Sequence, residues 1–315
     1  MPGYQVRRII LIVSTLCGGV LYFGWSGAQT RDYKVDERPA LPFPPGVSVE
    51  SQCGDVNHLQ DVERYDGSLG VSQDYVRANE PSTVQLQWLN ETSIRSRLPN
   101  DFPGNVSGQR WCTGTLITDT LVLTAGHCFE IQDKYGWTSP YKRGINHERI
   151  YAEPSVIATL FVANFEYQVD KDTGQIRTPK VFPVVRLVEL EQGKLDYSIV
   201  ELGRDPEGKL PGDRIAPASL SQQAPQEGDV VGIIQHPQGE PKKIEAGRLL
   251  SAAGNTLLYD DIDTWGGSSG AGIRDGSGKL IGVHTNAGCT STKNHSEGAN
   301  KGVKIRALAA VSDQF

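Results

Sequence analysis

Apolar residues along most of this chain fall in short runs of β-branched and aromatic side chains broken by turn residues, not at the three-to-four spacing of an amphipathic helix. Such runs span Thr83–Leu89, Thr113–Thr118, Leu121–Ala125, Val156–Phe165, Val181–Val188, Tyr197–Leu202, Asp229–Gln235, Thr256–Tyr259 and Lys279–Thr285, and each predicts a strand. Asp275-Gly276-Ser277-Gly278 lies between apolar stretches and reads as a hairpin loop, because glycine supplies the positive φ that tight turns need. Only Ile305–Val311 has the pattern of a short C-terminal helix. The pattern therefore predicts an all-β protein of the sandwich or barrel kind, with no internal repeat. Residues 29–80 differ: they are polar, and Pro39, Pro42, Pro44 and Pro45 crowd one stretch, so they read as an irregular linker or pro-segment before a domain spanning 81–315.

One apolar run is of another kind. Arg7 and Arg8 precede Ile9–Trp25, and the small residues Ser26-Gly27-Ala28 follow. This is the layout of a secretory signal over residues 1–28, with a mature chain starting at Gln29; an uncleaved membrane anchor is the alternative. A secreted or periplasmic location follows, with no membrane attachment after cleavage. It also makes the remaining cysteines, Cys53, Cys112, Cys128 and Cys289, candidates for disulfides in any of three connectivities. The 315 residues carry a net charge of −6, which argues against nucleic acid as a partner. No CxxC or HxxxH pair suggests a metal, and the acidic run Asp260-Asp261-Ile262-Asp263 reads as solvated turn carboxylates, so neither metal nor cofactor is expected.

Three segments carry chemistry. Leu121-Val-Leu-Thr-Ala-Gly-His127-Cys128 puts a histidine at a strand exit beside a cysteine that could be stapled to Cys112, giving the rigidity a general base needs. Asp263-Thr-Trp-Gly-Gly-Ser-Ser-Gly270 flanks serines with glycines, which frees the backbone to aim N–H groups into one concavity and leaves Ser269 as a candidate nucleophile. The same glycines fit the G-x-S-x-G elbow of α/β-hydrolases with Ser268 as nucleophile, but no helix pattern follows. Leu195-Asp196-Tyr197-Ser198 opens a strand with a carboxylate that could orient an imidazole.

In their order, the His127, Asp196 and Ser269 segments resemble trypsin-like serine peptidases of the chymotrypsin fold, and most closely the bacterial glutamyl-endopeptidase-like branch. Ile233-Ile-Gln-His-Pro-Gln238 and Leu280-Ile-Gly-Val-His-Thr-Asn286 extend the resemblance, which covers about Thr83–Val311. It implies two antiparallel six-stranded β-barrels with the active site between them, a triad of His127, Asp196 and Ser269, an oxyanion hole from the N–H groups of Gly267 and Ser269, and peptide or protein substrates. Thr264 and His284 occupy the positions that line an acid-binding pocket in the glutamyl branch. Asp263, however, occupies the position where trypsin carries the acid that receives Arg or Lys, so the preferred side chain stays open between acidic, basic and small. Ser268 replaces the aspartate that pairs with a newly cut N-terminus in regulated relatives, which implies that this activation switch is absent. Trp265 stands where trypsin-like enzymes carry the disulfide partner of Cys289, leaving Cys53 as its implied partner and Cys112–Cys128 as the other bridge. Beside an endopeptidase, a catalytically silent binding module and a serine esterase remain as alternative functions.

Overall fold

The computed structural model describes residues 52–130, 133–134, 136–289 and 298–315. The expected signal segment and the proline-rich stretch lie outside these. Six antiparallel strands close the first barrel: Lys180–Glu191, Tyr197–Leu202, Leu121–Ala125, Arg110–Leu116, Thr83–Trp88 and Phe161–Phe165, the last pairing back to the first. The two-residue period of a strand explains its interior. On Thr83–Trp88, Val84, Leu86 and Trp88 enter the aromatic core with Phe129, Phe161 and Phe182. The alternate residues Gln85 and Gln87 are buried too, and their side-chain oxygens accept hydrogen bonds from Asn164 Nδ2, both at 2.8 Å. Paired in this way, buried amides avoid a desolvation cost of about 1–3 kcal/mol each.

The second unit supplies the six expected strands as a curled half-barrel, with a seventh added from the N-terminal segment. It is a sheet of seven strands in the order Gln60–Asp61, Lys243–Arg248, Val230–Gln235, Gly272–Asp275, Leu280–Asn286, Asn300–Lys304 and Thr256–Tyr259. The sheet curls until its ends meet only at a bridge between Ser251 and Leu258. The edge along Lys243–Arg248 is instead covered by Gln60–Asp61, with Gln60 opposite Ile244 and Asp61 opposite Lys243. A paired edge offers no template for another chain.

Residues 52–80 are thus not the irregular linker that their polarity suggests. Val62, Tyr65, Val71 and Val76 bury themselves against Ile234, Ile244 and Ala246 of the second sheet. The helix Gln73–Asn79 starts at Ser72, whose Oγ accepts the Tyr75 N–H at 3.0 Å. Two buried cations hold the end of this segment. Lys242 Nζ donates to the Glu80 carboxylate at 2.6 Å and to the Glu80 carbonyl at 2.8 Å, while Arg274 Nη2 donates to Ser82 Oγ at 2.7 Å. Burial pulls the Lys242 ammonium below its usual pKa, and Glu80 opposes that pull. The run Val156–Phe165 also divides: Pro154–Ala158 forms a helical turn with proline in its first turn, and the strand begins at Phe161. The predicted C-terminal helix is present as Ile305–Leu308. Among the described residues no helix is long and apolar enough to cross a membrane.

Lys242→Met removes the cation and leaves Glu80 unpaired, so a loss of about 3 kcal/mol in unfolding free energy is expected from urea titration. A change under about 0.5 kcal/mol would show that the segment does not depend on this pair.

Candidate active site

His127 follows the strand Leu121–Ala125 of the first barrel, at a tight turn that needs Gly126: a side chain there would meet the Glu191 carbonyl at 2.5 Å. The turn is fastened by the Cys112–Cys128 disulfide. Asp196 precedes the strand Tyr197–Leu202, which pairs with Leu121–Ala125, so adjacent strands deliver the two residues to one end of the barrel. Asp196 adopts φ 43°, a left-handed conformation uncommon for a residue with a side chain. The Glu191 carboxylate stabilises that bend by accepting the N–H groups of Gly193, Leu195 and Asp196 at 3.0, 2.9 and 3.1 Å.

Both oxygens of Asp196 engage His127. Oδ1 accepts the backbone N–H at 2.8 Å and Oδ2 accepts Nδ1 at 2.8 Å. Burial alone would raise the Asp196 pKa, but the hydrogen bonds and charge interaction with His127 outweigh it and hold the carboxyl below its ordinary value. An ionised Asp196 requires a proton on Nδ1 and leaves the Nε2 lone pair available. His127, Asp196 and Ser269 together line a cavity of about 470 Å³. Among the described residues no hydrogen bond joins Ser269 Oγ to His127.

The Ser269 loop belongs to the second sheet yet is bonded to the first barrel. Thr113 N donates to the Ser269 carbonyl at 2.9 Å, and Thr113 Oγ1 donates to the Gly267 carbonyl at 2.8 Å. The Gly266 carbonyl accepts Gln238 N–H at 2.5 Å. Across a planar trans peptide this turns the Gly267 N–H to the side away from Gln238. Gly267 has φ 99°, and a side chain there would meet the His236 carbonyl at 2.6 Å. Ser268 is buried and its Oγ accepts Trp265 N–H at 3.1 Å, so the loop closes on itself without an ion pair.

The expected pocket residues separate into two sets. Thr264 and His284 line the cavity with His127, Asp196 and Ser269. Thr264 is buried and its hydroxyl has no hydrogen-bond partner. His284 Nδ1 lies 2.5 Å from the hydroxyl of Tyr259. Burial raises the Tyr259 pKa well above its usual value, so the phenol stays protonated and donates. His284 then accepts at Nδ1 and carries its proton on Nε2, which leaves a donor for the cavity. Burial, together with the nearby His127, lowers the His284 pKa to about 3 despite opposition from Asp196, so the ring is neutral. Asp263 turns the other way. Its Oδ1 accepts Cys53 N–H at 2.6 Å and its Oδ2 accepts His58 N–H at 3.2 Å, and it does not contribute to the cavity wall. Of the two orientations open in the sequence, the outward one is observed. Cys53 pairs with Cys289, tying the N-terminal segment to the second sheet. Thr113 and Tyr259 escaped the sequence reading because each acts through a partner distant in the chain, and Glu191 because it acts on backbone N–H groups, which leave no side-chain pattern.

Comparison with known proteins identifies the family. The profile of the trypsin-like peptidase domain matches residues 112–283. The chain belongs to this family. It is 26% identical over 202 residues to exfoliative toxin A of Staphylococcus aureus, an alignment covering 61% of this chain and 62% of the toxin, and so spans less than two thirds of that relative. Among solved structures, a serine endoprotease from Yersinia pestis matches at 18% identity with a TM-score of 0.45, covering 75% of this chain and 63% of that one. A Glu endopeptidase matches at 19% identity with a TM-score of 0.41, covering 74% and 88%.

His284 is neutral in the folded protein but titrates near 6.5 in the unfolded chain, so stability falls as pH drops below about 6.5, because the unfolded state then binds the extra proton. In ¹⁵N NMR of the folded protein, His284 should remain the neutral Nε2–H tautomer from pH 7 to about 5. An imidazolium signal appearing in that window, or an Nδ1–H tautomer, would contradict the assignment.

Proposed function

We propose that the chain is an exported serine endopeptidase that uses His127, Asp196 and Ser269 and prefers an acidic residue on the amino side of the cleaved bond. The observation that carries this reading is the double hold of Asp196 on His127 at the wall of the cavity shared with Ser269. His127 Nε2 takes the Ser269 hydroxyl proton as Oγ attacks the peptide carbonyl. The N–H groups of Gly267 and Ser269 stabilise the oxyanion that develops, a contribution of roughly 3 kcal/mol per donor. The imidazolium, supported by Asp196, then gives its proton to the leaving amine. A water molecule activated by the same ring hydrolyses the acyl-enzyme and restores Ser269.

The acidic preference rests on two groups. The unpartnered Thr264 hydroxyl and the Nε2–H of His284 are both donors suited to a carboxylate. A basic preference lacks support, since Asp263 is committed to Cys53 and His58. The self-closed Ser268 loop supports a pocket assembled without a newly cut amine. Two disulfides fit an oxidising compartment and support export.

Ser269→Ala should lower kcat/KM on the order of 10⁵-fold with an unchanged unfolding curve; retained activity would remove the assignment. Gly267→Ala should lower kcat about 10²-fold by displacing its N–H, whereas an unchanged kcat would remove this donor from the oxyanion hole. In otherwise identical peptides, cleavage after Glu should exceed cleavage after Ala or Arg at least about tenfold in kcat/KM. Equal rates, or a preference for Arg, would overturn the acidic pocket.

A further inference from the structure

On the side of Asp263 away from the cavity, the N-terminal segment brings His58 over two buried carboxylates. Glu245 lies on the strand Lys243–Arg248 and Asp263 follows the strand Thr256–Tyr259; both are buried, at 0% and 1% exposure. One ligand atom from each of His58, Glu245 and Asp263 fits within 4.8 Å of the others. His58 Nδ1 is 3.9 Å from Glu245 Oε1. Neither oxygen of Glu245 has a hydrogen-bond partner of ordinary geometry, although the backbone N–H of Asp263 stands nearby. Among the described residues no Lys or Arg forms an ion pair with Glu245 or Asp263, and a third carboxylate, Asp261, lies close by with its oxygens turned to Arg248 N–H.

An uncompensated buried carboxylate is costly, and two side by side are more so. Burial, with Asp263 close by, pushes the Glu245 carboxyl up to about 9, so without a cation it holds a proton, and a bound cation would take that proton's place. Two carboxylates and one neutral imidazole match the charge of a divalent ion. The imidazole nitrogen disfavours calcium and magnesium, which select oxygen, and favours zinc. A tetrahedral zinc with ligands at 2.0–2.2 Å sets its donors about 3.3 Å apart, against 3.9 Å between His58 Nδ1 and Glu245 Oε1, and His58 is half-exposed with room to turn. A cleft of about 450 Å³, lined by His58, Glu245 and Asp261, gives access from solvent and room for a water molecule as fourth ligand.

We propose that His58, Glu245 and Asp263 bind one zinc ion, which clasps the N-terminal segment to the second sheet directly behind the Thr264 wall. The clasp lies beside the Cys53–Cys289 disulfide and does not depend on the catalytic reading. The acidic run that looks solvated in the sequence is in this respect misleading, because Asp263, though turned away from the cavity, is buried.

The test is calorimetric titration of the full-length, chelator-stripped protein with zinc chloride alone, followed by thermal unfolding with and without the metal. One zinc per chain with micromolar or tighter affinity, and a rise of several degrees in Tm, are expected. His58→Ala, at a half-exposed position that leaves the fold undisturbed, and Glu245→Gln should each weaken binding at least tenfold and abolish the rise. Glu245→Leu should abolish the zinc response while leaving the metal-free Tm equal to or above that of the parent, which separates a lost ligand from a lost fold. No saturable binding at 100-micromolar zinc, or equal affinity in the parent and either His58→Ala or Glu245→Gln, would overturn the site.

Discussion

Thr113 joins the two halves of the molecule at the point where the chemistry is placed. It lies on the first-barrel strand Arg110–Leu116, yet its N–H and hydroxyl donate to the carbonyls of Ser269 and Gly267 in the second sheet. Its Oγ1 also accepts His236 N–H at 3.0 Å, and its own carbonyl accepts Thr124 Oγ1 at 2.7 Å. Its N–H and its hydroxyl are therefore spent on the seam, while its carbonyl is held within the first barrel by Thr124. Gly270 belongs to the same constraint, since a side chain there would collide with Thr124 and with the Thr113 carbonyl. Without this seam the serine loop would have no fixed relation to a histidine that sits on the other barrel.

The first barrel is correspondingly stiff around His127. The disulfide from Cys112, next to Thr113, to Cys128, next to His127, closes a separation of 16 residues and contributes roughly 3 kcal/mol in the chain-entropy model. Glu191 holds the Asp196 bend from the opposite side, so the imidazole has its acceptor in a preset position. Chemistry that depends on orientation gains from such restraint, because the ordering entropy is lost on folding and not during the reaction. On the second sheet Tyr259 performs the same service for His284, fixing a tautomer and not a position alone.

Much of this was legible in the chain. Alternating β-branched runs revealed most of the first barrel, and the His127, Asp196 and Ser269 segments stood out through their glycines and their order. The strand Lys243–Arg248 was missed because charged residues flank and interrupt its short buried run of Ile244, Glu245 and Ala246, so no alternation shows. The segment 52–80 was misread for a related reason: its few apolar side chains, Val62, Tyr65, Val71 and Val76, are too sparse to signal a core until the sheet that receives them is known. The orientation of Asp263 was undecidable in sequence, since the N–H groups that capture it come from Cys53 and His58, remote along the chain. Long-range hydrogen bonds of this type leave no local pattern.

The central claim is that the seam delivers Ser269 to an imidazole able to remove its proton. Reaction with a fluorophosphonate probe, followed by peptide mass spectrometry, tests it most directly. The probe should add to Ser269 Oγ in the parent protein, and the adduct should fall by orders of magnitude in His127→Ala. An unlabelled Ser269, or labelling that is indifferent to His127, would contradict the account.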